Sequence, residues 1–150
     1  MKLSFSDFDI MFHMIRSIDI VNFESKDLID LFSKIKINTA IMKAPNSVIC
    51  DFTGKIVENS DLDSISIEFF KFRNPGLYGF AGLRKVYVSS SRIEELKDEI
   101  DDDGKVMFDL YFVRLILHEI TNVLIRINKD NMNVSSRFIT VANLEKYNVK

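Results

Sequence analysis

Residues 118–122 read His-Glu-Ile-Thr-Asn. On a helix, positions i and i+4 stand one above the other, so two imidazoles at that spacing reach one metal ion. A glutamate beside the first imidazole can take a proton from metal-bound water, which makes the water a nucleophile. Here the position four residues after His118 is Asn122. An amide oxygen is neutral and weakly basic, a far poorer ligand for zinc than imidazole. Three readings are open: a metal site with an altered ligand, a site that has lost its chemistry, or an ordinary helix that contains His-Glu.

Other residue groups carry less. The stretch "GLYGFAGLRK" brings Gly76, Gly79 and Gly82 close to Arg84 and Lys85. Glycine loops can cradle phosphate with backbone N–H groups, but a phosphate loop follows a strand and opens a helix. This one leads into the strand-like "KVYVSS", so a turn-rich connection is expected. Its aromatic residues, with Lys71, Arg73, Arg84 and Lys85, are the alternative contact surface. The acidic run "KDEIDDDGK" lacks the spacing and the final glutamate of a calcium-binding loop. Ser89, Ser90 and Ser91 have no histidine partner in a local motif, and Ser91 with Glu94 fits a helix capping box.

These groups must be positioned by a chain of 150 residues, a length that suggests one domain over 1–150 or a fragment of a longer protein. Hydrophobic residues make up 47% and charged residues 28%, which indicates a folded chain with a real core. The net charge of −2 offers no positive field for nucleic acid or an anionic membrane surface. Cys50 is the single cysteine, so no intrachain disulfide and no cysteine-based zinc site can form. In "SVICDF" it is expected to be a small core hydrophobe on a strand. Asp7, Asp9 and Arg16 interrupt the apolar N-terminal stretch, which therefore lacks the pattern of a signal peptide, and no charge-free run is long enough to span a membrane. An intracellular, cytoplasmic setting is the expectation.

Phe8, Met11, Phe12, Ile15 and Ile18 predict a helix over 5–18, with Asp9, His13 and Arg16 on its other face. Leu28, Leu31, Phe32 and Ile35 predict a second helix after Ser25. "INTAIMK" and "NSVICDF" read as short strands, "TGK" as a turn, and "SISIEFFKF" and "KVYVSS" as strands. A short helix follows, "RIEELKDEI", and then a long helix over about 105–127, preceded by three acids that suit its dipole. In the first half of that helix Met107, Phe108, Leu110, Tyr111, Phe112 and Val113 cover most of the circumference, which predicts burial nearly all round. In the second half Arg114, His118, Asn122 and Arg126 form a polar row at i, i+4 spacing. Thr121, Asn128 and Glu119 flank that row, and Ile116, Leu117, Ile120, Val123, Leu124 and Ile127 lie opposite. "RFITVA" reads as a last strand and "NLEKYN" as a final helical turn. The order predicts an α+β fold, with a mixed or antiparallel sheet packed against the long, largely buried helix.

The segment "FDLYFVRLILHEITNVLIRI", after the strands "SISIEFF" and "KVYVSS", resembles the active-site helix of the zincin metallopeptidases. In that family the helix packs under a twisted sheet whose edge strand guides the substrate. The resemblance implies a zinc-dependent peptidase-like domain, with His118 as first metal ligand and Glu119 as general base. Asn122 stands at the second ligand position. One sub-family continues with a glycine and a third histidine; those positions are Ile125 and Asn128 here, and both depart from it. In another, a later glutamate completes the ligand set, and Glu145 is the candidate. The departure at Asn122 implies impaired catalysis, a pseudoenzyme in which zinc is a possible cofactor but its absence is expected. A peptide-binding groove beside the helix, and so a peptide or protein partner, would remain. The alternative is a non-enzymatic protein-interaction domain with no metal site. The first reading needs His118, Glu119 and Asn122 to face one cleft with a strand along its rim.

Overall fold

A computed structural model describes residues 18–21, 25–72, 78–97 and 101–130. The fold is α+β. In chain order the described elements are β1 (Ile18–Val21), α1 (Lys26–Ile37), α2 (Thr39–Thr53), α3 (Asn59–Asp63), β2 (Ser66–Phe72), β3 (Gly79–Ala81), β4 (Lys85–Ser89), α4 (Ser90–Lys97) and α5 (Asp102–Lys129). The helix expected over 5–18 lies outside the described residues, apart from Ile18, which opens β1. "RFITVA", "NLEKYN", His13 and Glu145 lie outside them too.

α1 follows the apolar spacing directly: Leu28, Phe32 and Ile35 are its buried residues. The two short strands expected next do not form. "INTAIMK" and "NSVICDF" fall largely within α2, a single helix. Asn38 ends α1 in an extended conformation, and its side chain accepts a hydrogen bond from Ile41 N at 3.0 Å, which caps α2. The buried residues of α2 are Met42 and Ile49, two turns apart, with Ile41, Val48 and Phe52 packed beside them. That is helical periodicity, and tertiary packing along it outweighs the β-branched residues and Pro45. Cys50, expected inside a strand, is exposed on this helix. α2 ends at Gly54, whose φ of 71° and ψ of 9° are left-handed and whose N–H donates to Cys50 O at 2.8 Å. This is the expected "TGK" turn.

The sheet is mixed, in the order β1-β2-β4-β3. β1 runs antiparallel to β2, β2 parallel to β4, and β3 antiparallel to β4. The period of two sorts its residues. Phe69, Ala81, Val86 and Val88 join the main core with the helices. On the other face Phe80 stacks on Tyr87 at 4.7 Å and lies 5.2 Å from Phe70. The glycine stretch, expected as a loop or a wide hairpin connection, contributes the edge strand β3, which pairs antiparallel with β4. Gly79 is required there, because a Cβ would lie 2.8 Å from Tyr87 O and 3.3 Å from Leu115 Cδ1 of α5.

α4 begins at Ser90, straight from β4, so Ser91 lies inside the helix and not at its cap. α5 has 28 residues, a length of about 42 Å at 1.5 Å per residue. It packs on α2 and across β3 and β4. Asp101 caps it, accepting from Gly104 N at 2.8 Å, and Asp102 and Asp103 occupy its first turn. The burial of α5 departs from the expectation on one face: in the first half Phe112 is buried and Phe108 and Val113 pack against the core, but much of the rest of the circumference is open. Val106, Met107 and Leu110 in the first half are 59%, 67% and 59% exposed. The second half is enclosed, with Glu119 to Ile125 all buried. Among the described residues, no helix is long and apolar enough to cross a membrane.

Candidate functional site

α5 brings His118, Glu119 and Asn122 onto adjacent turns of one regular helix. Neighbouring residues on a helix differ by about 100°, and here that rotation separates the pair. His118 is exposed, while Glu119 and Asn122 are buried at 6% and 5% exposure. Asn122 Nδ2 donates to Glu119 Oε2 at 3.4 Å. One turn further, Arg126 donates from a guanidinium nitrogen to Ala81 O at 2.6 Å. Burial pushes the Arg126 pKa down, and the charge of Glu119 acts against that shift. Glu119, Asn122 and Arg126 therefore form a polar line on the inward side of α5. The opposite charge of Glu119 offsets part of the desolvation of Arg126.

The destination of the Arg126 hydrogen bond follows from strand geometry. Tyr78 O accepts from Ser89 N at 2.9 Å, and Gly82 N donates to Lys85 O at 2.8 Å. In an antiparallel pair hydrogen-bonded residues alternate, so residues 78, 80 and 82 bond to β4 and residues 79 and 81 turn their backbone groups to the open edge. The Ala81 carbonyl is one of those edge groups. Arg126 satisfies it from below and ties the helix to the edge of the sheet.

Two further side chains of the second half bond to their own helix. Thr121 Oγ1 donates to Leu117 O at 2.6 Å and Asn128 Nδ2 to Leu124 O at 2.8 Å. Among the described residues, no group of three or more His, Cys, Asp or Glu is placed to hold a metal ion. The donor atoms brought together at Glu119 and Asn122 are one carboxylate and one amide, already bonded to each other.

Of the basic residues weighed as an alternative contact surface, Arg84 and Lys85 are engaged within the fold, Lys71 is exposed, and Arg73 lies outside the described residues. Arg84 donates to Ser64 Oγ at 2.7 Å and lies 3.4 Å from Asp61, and Lys85 pairs with Glu68 at 3.2 Å. Tyr78 meets Tyr111 of α5 edge-on, with centroids 6.0 Å apart.

Among the described residues, hollows flank the helices. One, of about 370 Å³, is lined by Lys36, Met42, Asn46, Leu62 and Asp63. Its Lys36 ammonium donates to Ile65 O at 2.8 Å, and burial lowers the Lys36 pKa, with Asp63 offsetting part of the shift. Another, of about 290 Å³, lies at the start of α5, where Asp27, Asp102 and Asp109 surround Leu28, Ile93 and Phe108.

The exposed apolar residues on the first half of α5 went unread in the sequence. Asp102, Asp103, Lys105 and Asp109, interleaved with Val106, Met107 and Leu110, are the signal that this half meets water. No family model matches the chain, and no curated protein or solved structure matches it.

Proposed function

We propose that this chain is a non-enzymatic protein-interaction domain whose contact surface is the first half of α5. One observation carries the reading: Val106, Met107 and Leu110 lie within five residues and are each more than half exposed. Scattered single apolar residues are ordinary on a surface, but adjacent ones on a rigid helix form a patch that protein partners bury. The polar line Glu119–Asn122–Arg126 then has a scaffold role, since it fixes the second half of α5 beneath β3 and leaves the Met107–Leu110 face of the first half free to bind. A single exposed cysteine fits a reducing, intracellular setting for such a domain. A photo-crosslinking side chain at Met107, introduced in the living host, should give a discrete protein adduct. A chain that stays unadducted there overturns the reading.

A second reading is a zincin-like, metallopeptidase-related domain that has lost activity and keeps a peptide groove. It is favoured by the packing of α5, with its His-Glu pair, against the edge strand β3. Its zinc site would use His118 and Asn122 as ligands, with Glu145 as a third, and Glu119 as base. Zinc binding measured by calorimetry on the native chain, His118→Ala and Asn122→His separates the two. Stoichiometric zinc that is lost in His118→Ala, or gained in Asn122→His, supports the second reading. No zinc uptake by any of the three supports the first.

A further inference from the structure

The exposed face of α5 has an internal symmetry that points to its occupant. Asp103, Met107, Leu110 and Arg114 follow a spacing of four, three and four, the repeat with which one helix lays a seam along another. At about 100° per residue these four fall within one narrow arc. All four are exposed. Neither Asp103 nor Arg114 makes an ion pair with another described residue. The seam is acidic at one end, apolar in the middle and basic at the other end.

That order is self-complementary in one direction. A second copy laid antiparallel, with a two-fold axis between positions 108 and 109, sets Met107 against Leu110 of the second copy and Leu110 against its Met107. The same operation sets Asp103 against Arg114 of the second copy, and the reverse, at both ends. A two-fold interface requires this reciprocity, because each surface must complement itself. A parallel pairing would put like charges together at both ends, so the charges select the antiparallel arrangement. Val106 borders the seam and adds apolar area beside it. We infer that the chain pairs with a second copy of itself through an antiparallel contact of α5 along Asp103, Met107, Leu110 and Arg114.

This inference rests on the interaction reading above and narrows its partner to the chain itself. A seam of three helical turns is short, below the size of a permanent dimer interface, so the pairing is reversible and depends on concentration. The test is sedimentation equilibrium of the purified full chain across a wide range of concentration. The native chain should pass from monomer to dimer, and Leu110→Asp should shift the midpoint to at least tenfold higher concentration. Asp103→Arg alone and Arg114→Asp alone should each weaken pairing, and the two together should restore it, because the exchange recreates opposite charges at both ends. Circular dichroism of each variant confirms that the monomer is folded. A chain that stays monomeric at the highest concentration, or whose dimer ignores all these substitutions, overturns the inference. If that monomer still forms an adduct with a different protein at Met107 in cells, self-pairing fails while the interaction reading stands.

Discussion

Glu119 is the residue on which the account of the His-Glu stretch turns. It is buried, accepts a hydrogen bond from Asn122 and bears electrostatically on Arg126, while its neighbour His118 is exposed. Removing Glu119 takes an acceptor from Asn122 and the compensating charge from the partly buried Arg126. Glu119→Ala is therefore expected to destabilise the fold by about 2–4 kcal/mol. His118→Ala should stay within about 0.5 kcal/mol of the parent, as for other surface changes. Urea unfolding of both variants in metal-free buffer checks this. A large loss in His118→Ala with a small one in Glu119→Ala would contradict the scaffold role. The sequence made the residue types and their place on a helix legible, since the i, i+4 row from Arg114 to Arg126 is a local pattern. It did not show that the row turns inward as it advances. That depends on where β3 and α2 meet α5, which no local spacing encodes.

At the scale of elements, α1, β2 and β4 were readable because their apolar periods match one structure each. Leu28, Phe32 and Ile35 fit only a helix, and the alternation through Phe69 fits only a strand. α2 was misread for a physical reason. Pro45 divides two short runs rich in isoleucine, threonine and valine, and each run alone suits a strand. The packing of Met42 and Ile49 into the core decides for a helix. Pro45 still lacks the N–H that would bond to Ile41 O, and proline inside a helix is unfavourable by about 3 kcal/mol relative to alanine. Pro45→Ala should therefore raise stability, by about 1–2 kcal/mol once the freer unfolded chain is counted. Gly54→Ala should lower it by about 1 kcal/mol, through the left-handed backbone alone, because no atom lies within 4 Å of the added methyl. Thermal unfolding of the two variants measures both. The opposite sign in either would mean that the α2 boundaries are wrong.

On the scale of the whole molecule, the two halves of α5 differ in burial along one axis. Its second half is sealed between α2 and the edge of the sheet, and its first half packs one face through Phe108 and Phe112 and leaves Val106, Met107 and Leu110 in the open. The α+β class and the long helix were legible from element order and length. The direction of burial was legible only from the interleaved Asp102, Asp103, Lys105 and Asp109, because Met107 and Leu110 themselves have the same residue types as a core. In the fold they are 67% and 59% exposed. The central claim is that this uncovered face of α5 is where the protein meets its partner. The most direct measurement is photo-crosslinking in cells with the reactive side chain placed in turn at Met107, Leu110 and Ile37. Ile37 is an exposed apolar residue at the end of α1, 76% exposed and away from the seam. Discrete adducts from Met107 and Leu110, of twice the chain mass if the partner is a second copy, with none from Ile37, are the expected result. Equal yields at all three sites, or none at Met107 and Leu110, would contradict the account.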